Sequence, residues 1–117
     1  MTLRVFGIHL EHKPALACNR HALSADERRR HFDELGPKLR LRIKSVGELA
    51  DGYRFEFPSD EATFELVSQW AEGERRCCPF FEIELGSGAG AVWLRLTGRE
   101  GAKAFIRSEL AQFFESE

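Results

Sequence analysis

Two hydrophobic alternations, each doubled back by turn residues and each followed by helical spacing, constrain this chain most. In Lys38–Val46, Leu39, Leu41 and Ile43 alternate with Arg40, Arg42 and Lys44. After the turn signal Asp51-Gly52, Tyr53, Phe55 and Phe57 alternate with Arg54 and Glu56. A period of two puts one set of side chains on each face of a strand, so this stretch predicts a hairpin with one apolar face. The unit then recurs. Phe81, Ile83 and Leu85 alternate with Glu82 and Glu84, the run Gly86-Ser87-Gly88-Ala89-Gly90 turns the chain, and Val92, Leu94 and Leu96 alternate with Trp93 and Arg95.

A helix is predicted after each hairpin. Pro58-Ser59-Asp60-Glu61 opens the first, with Ser59 as the expected N-cap, and Phe64, Val67, Trp70, Ala71, Glu74 and Cys78 fall on one side. Pro79 disfavours helical backbone at Cys78 and ends it there or just before. The second should open on a Thr97/Glu100 capping box and bury Ala102, Phe105, Ile106, Leu110, Phe113 and Phe114. Upstream, a short helix over Leu23–Leu35 starts at a Ser24/Glu27 capping box, and Gly36-Pro37 is expected to stop it. Met1–Leu10 is weakly strand-like, and Pro14 centres a loop.

The expected fold class is therefore α+β. It is a two-layer sandwich of a four-stranded antiparallel sheet with two helices on one face. Strand-strand-helix repeated twice is a permuted ferredoxin-like order. The N-terminal segment and short helix are added to it. A chain of 117 residues suits one such domain, 1–117, with 1–22 peripheral. By parity the uncovered face holds Arg40, Arg42, Lys44, Arg54, Glu56, Glu82, Glu84, Trp93 and Arg95. That mixture predicts ion pairs in water, and Trp93 is the main argument for a homodimer through the open sheet face.

Charge and hydropathy narrow the function. A net charge of −2 lacks the basic excess of a nucleic-acid binder. No apolar run reaches the roughly 18–20 residues of a membrane span. The first residues lack the apolar core of an export signal. Three cysteines without such a signal point to the reducing cytoplasm, where thiols stay reduced.

The chemistry is concentrated at Glu74-Arg75-Arg76-Cys77-Cys78-Pro79-Phe80-Phe81. Two adjacent thiolates can share a metal if the backbone bends, and the helix end before Pro79 supplies a bend. Cys18 is the third thiol, and His21 follows it at Cys-x-x-His spacing. Cys18, Cys77 and Cys78 would suit a soft ion such as mercury(II) or copper(I), and adding His21 would suit zinc. Glu74 falls on the apolar stripe of its helix, where a carboxylate needs a partner: a metal, a thiol proton or an arginine such as Arg28, Arg75 or Arg99. Arg75 and Arg76 could also lower the thiol pKa values and make a thiol nucleophile. Against all of these, buried cysteine is ordinary core filler. A vicinal Cys77–Cys78 disulfide would be strained.

Other motifs carry less. The glycines at 86, 88 and 90 join two strands, so they make a hairpin turn and no phosphate loop. The His9/His12 pair does not lie on a predicted helix. Arg28-Arg29-Arg30 reads as a solvated face, and His31 between arginines should face solvent.

The motif at Glu74 to Phe81 resembles that of a group of small bacterial proteins: an acid, two variable residues, Cys-Cys-Pro-Phe, then an alternating strand. The likeness continues through Val92-Trp93-Leu94-Arg95-Leu96-Thr97-Gly98 and includes Ala17-Cys18 leading into Leu23–Arg28. It leaves out Met1–Leu16. It singles out Cys18, Glu74, Cys77 and Cys78, and it supplies no reaction. Three readings stay open: soft-metal or metalloid binding, a thiol redox or nucleophilic enzyme, and a non-catalytic dimeric module.

Overall fold

The computed structural model describes residues 16–115. The strand-like reading of Met1–Leu10 and the His9/His12 pair lie outside them. A 3-10 turn, Arg20–Ala22, leads into a continuous helical run. That run comprises α1 (Ala25–Arg29), a π turn (Arg30–Leu35) and α2 (Gly36–Arg40). Then come β1 (Ser45–Leu49), β2 (Gly52–Pro58), α3 (Glu61–Cys77), β3 (Glu82–Gly88), β4 (Ala91–Thr97), α4 (Ala102–Glu109) and a 3-10 turn, Ala111–Phe114.

The expected sandwich is present. The sheet order is β1-β2-β4-β3 with every pairing antiparallel, so the second strands of the two hairpins meet at the centre. Phe55 lies opposite Leu94, Tyr53 opposite Leu96 and Phe57 opposite Val92. All six are buried, and the helices cover them. Phe113 of the last turn meets both Phe55 (5.6 Å) and Trp70 (5.4 Å), joining sheet, α3 and C-terminus into one core.

The turns explain two glycine demands. Ala89 and Gly90 both have positive φ (52° and 79°), which a tight hairpin turn requires. Gly52 passes so close to β4 that a Cβ there would fall on the Leu96 carbonyl.

Four local expectations are corrected. Gly36-Pro37 does not stop the first helix. Gly36 is right-handed helical (φ −57°, ψ −53°), and lacking a Cβ it escapes much of the clash with a following proline. Pro37 falls in the first turn of α2, where a missing N–H is tolerated. Residues 38–44 are consequently not a strand. Leu39 is fully buried and Leu41 is 77% exposed, the opposite of a shared face. His31, Leu35 and Leu39 all face inward, at four-residue helical spacing. The cap of α3 is Asp60 rather than Ser59; its side chain accepts from the Thr63 N–H at 2.7 Å. Finally, α4 starts after Gly101 (φ 95°) with no side-chain cap, because Thr97 is still the last residue of β4.

On the uncovered sheet face Arg95 pairs with Glu84 (2.9 Å) and Arg54 with Glu56 (3.1 Å). The Arg54 guanidinium lies 4.9 Å from the Trp93 ring centre, and that ring lies over Gly86. The predicted ion pairs are thus present among β2, β3 and β4. Arg40, Arg42 and Lys44 are not part of that face.

Candidate functional site

The inner face of α3 presents Trp70, Glu74 and Cys77 at spacings of four and three residues, and all are buried. Pro79 then turns the chain. Cys78 leaves helical geometry (φ −126°, ψ 73°) while its N–H still donates to the Glu74 carbonyl at 2.7 Å. The two adjacent cysteines therefore diverge from one backbone bend, and both have zero solvent exposure.

Residues 16–24 are stapled to this helix end. The Asn19 N–H donates to the Cys77 carbonyl (2.7 Å), satisfying one of the acceptors that a helix C-terminus leaves unpaired. The Arg76 guanidinium donates to the Ala22 carbonyl (2.9 Å) and to Glu27 (3.0 Å). These bonds hold the Glu27 carboxyl down at about 2, with the Ser24 N–H adding to the effect. Ser24 and Glu27 form the expected capping box, so Arg76 locks onto an already capped helix start.

Cys18 is thereby brought to the pair. It forms a disulfide with Cys78, sixty residues away, and the three sulfurs lie within 4.8 Å of one another. The sequence names Cys18 as the third thiol that a shared ligand would need and leaves convergence open; the fold brings the three together and bonds two of them. Cys18 and Cys78 are oxidised here, and only Cys77 is a free thiol. The partner of Cys78 is the distant Cys18 rather than its neighbour, because the bend at Pro79 aims the two side chains differently.

Glu74 sits on the buried stripe as expected, and its partner is a histidine rather than an arginine. His31 Nε2 lies 2.9 Å from Glu74 Oε1, with both side chains 3% exposed. Facing a carboxylate, Nε2 is the ring's donor position. His31 was expected in solvent; the π turn instead rotates it inward. Trp70 stacks on it (5.4 Å, 14° between planes) and Phe32 packs edge-on at 4.8 Å. Gly73 makes this possible: a Cβ there would come within 2.5 Å of His31 Nδ1. That nitrogen is buried with no hydrogen-bond partner among the described residues.

A cavity of about 290 Å³ opens beside the disulfide. Cys18, Arg20, His31, Trp70, Glu74 and Gln112 contribute to its wall, together with the acids Asp33 and Glu109. Cys77 and Cys78 do not line it. On the other side of His31 a larger groove of about 420 Å³ runs between α1 and α3 past Gly73 and Arg76, with no cysteine in its lining.

The electrostatics separate the thiols from ordinary reactive cysteines. Burial pushes the Cys77 thiol up, the nearby Glu74 adds to this, and Arg20 opposes it. Arg75 and Arg76 do not depress it, since Arg75 pairs with Glu72 (2.5 Å) and Arg76 with Glu27. His21 is exposed on the 3-10 turn, its N–H on Asn19, and is not one of the clustered ligands. The residue that sequence reasoning missed is His31. Its signal was the spacing with Leu35 and Leu39, hidden by the Gly-Pro pair between them.

Compared with protein-family models, curated proteins and solved structures, the chain matches none. Among the described residues no helix is long and apolar enough to cross a membrane.

Proposed function

We propose that this protein binds a soft metal ion through Cys18, Cys77 and Cys78 when the Cys18–Cys78 disulfide is reduced. The observation that carries this reading is the meeting of three sulfurs within 4.8 Å, drawn from chain positions sixty residues apart. A common ion at thiolate bond lengths of about 2.3 Å needs sulfurs at most about 4.6 Å apart, so small side-chain rotations suffice. An all-sulfur set favours copper(I) or mercury(II) over harder ions. Zinc would require a fourth donor, for which Glu74 is nearest in the chain and His21 the available nitrogen. The buried setting adds a condition. Each ligand must lose its proton on binding, and the high Cys77 pKa makes metal capture fall as pH drops. Function in a reducing compartment, the cytoplasm, follows from this reading, because oxidation removes two of the three ligands.

Thiol counting tests the proposal. Reduced protein is freed of reductant, given one equivalent of mercury(II), and alkylated. All three cysteines should be protected, whereas oxidised protein should bind far more weakly through Cys77 alone. Equal alkylation with and without mercury(II) or zinc in the reduced protein would rule out the metal site.

A further inference from the structure

Among the described residues, Cys18 is the cysteine that a cavity reaches. Cys18 is partly exposed and lines the 290 Å³ cavity; its partner Cys78 and the neighbouring Cys77 have no exposure and do not line it. A disulfide can be attacked at either sulfur, and access decides which. The cavity volume is at the lower end of small-molecule sites, enough for a small organic thiol and far too little for a folded protein's thiol-bearing surface. We infer that this protein exchanges its Cys18–Cys78 disulfide with low-molecular-weight thiols, with Cys18 as the sulfur attacked and Cys78 as the leaving group.

The step balances as follows. A thiolate RS⁻ in the cavity attacks Cys18 Sγ, forming an R–S–Cys18 bond. The Cys18–Cys78 bond breaks, and its electron pair leaves on Cys78 as a thiolate. A second RS⁻ then attacks the sulfur of the R group, giving RSSR and a Cys18 thiolate. The net change is two RSH oxidised to RSSR and one protein disulfide reduced to two thiols. Arg20 shares the cavity wall with Cys18 and supplies a positive charge to an incoming thiolate. Cys77 is a bystander in the first step, because it is fully buried and does not line the cavity. The Glu74–His31 pair also lines the cavity.

This activity does not depend on metal capture. It requires only the oxidised protein and a thiol, whereas mercury(II) protection is measured on protein already reduced, so either can fail alone. The test uses oxidised full-length protein and free L-cysteine at limiting concentration. The reaction is quenched in acid, and the mixed disulfide is located by peptide mass spectrometry. The adduct is expected on Cys18 in excess of about tenfold over Cys77 or Cys78, and the rate should rise with the thiolate fraction of the added thiol. Arg20→Gln should slow formation of the adduct several-fold without moving it. An adduct on Cys78 would overturn the inference. So would a reduction rate that is negligible in buffer and climbs only with urea, which would mean the bond is reached by unfolding.

Discussion

Two pairs in this molecule have the same length and opposite surroundings. On the open sheet face Arg95 and Glu84 meet at 2.9 Å with side chains 39% and 61% exposed. At the end of α3, His31 and Glu74 meet at 2.9 Å with both at 3%. Each has an indole nearby, Trp93 on the sheet and Trp70 stacked on His31. The exposed pair exchanges one set of hydrated partners for another and is worth about 0–1 kcal/mol. The buried one cannot fall back on water, so losing one member leaves the other's polar atoms unsatisfied. Geometry alone therefore does not rank the two regions. Burial does, and it puts the consequential chemistry at the helix end.

The comparison can be pressed hardest at the disulfide. Closing a sixty-residue loop should contribute about 4 kcal/mol through the unfolded chain, so Cys18→Ala should lower unfolding free energy by about that much in urea melts. A loss below 1 kcal/mol would mean that the bond adds little to a corner already stapled by Arg76 and Asn19. Next in size, Glu74→Ala should cost about 3 kcal/mol, as breaking a buried pair does. His31→Ala and the double variant complete a cycle, in which the double loss should fall short of the sum of the singles. Strict additivity would show that the two side chains do not support one another.

A smaller effect is expected at alkaline pH. The Cys77 pKa is raised in the folded protein above the ordinary thiol value of about 8.5. Its contribution is thus fully present below about pH 8.5 and is lost as pH climbs toward the folded value. The limiting slope is one proton's worth, about 1.4 kcal/mol per pH unit. The difference in stability between the oxidised protein and its Cys77→Ala variant isolates this slope, and a flat difference from pH 7 to 10 would refute it. The smallest change belongs to the open face, where Glu84→Ala should shift stability by less than about 1 kcal/mol and fade in salt. A loss as large as that at Glu74 would erase the contrast.

Strands β2, β3 and β4 were legible because their signals are local, whereas β1 lies further along the chain than the alternation at 38–46 implies. Strict alternation at Tyr53–Phe57 and Val92–Leu96 states both the strand and its buried face, and the turn residues between hairpins set the pairing. The first helix was misread for an equally local reason. Gly36-Pro37 is a stop signal in isolation, and alternation at Leu39, Leu41 and Ile43 imitates a strand. What overrides both is tertiary: Leu35 and Leu39 bury against α3 and the C-terminal turn only if the helix continues, and a π turn accommodates the proline. The same continuation moved His31 from solvent to the partner position of Glu74. At the thiols, sequence reasoning singled out the three cysteines that the fold brings together, without their bonding.

By itself, then, the sequence determined β2, the second hairpin, the helix that follows each, the apolar face of those three strands, the end of α3 at Cys77-Cys78-Pro79 and the need of Glu74 for a partner. Those follow from periodicity and from backbone sterics within a few residues. Only the tertiary structure decided that His31 is that partner, that Cys18 pairs with Cys78 while Cys77 stays a buried thiol, and that a cavity reaches Cys18 alone. These depend on contacts between segments more than forty residues apart, where side-chain direction and exclusion of water are set by packing and no local pattern records them.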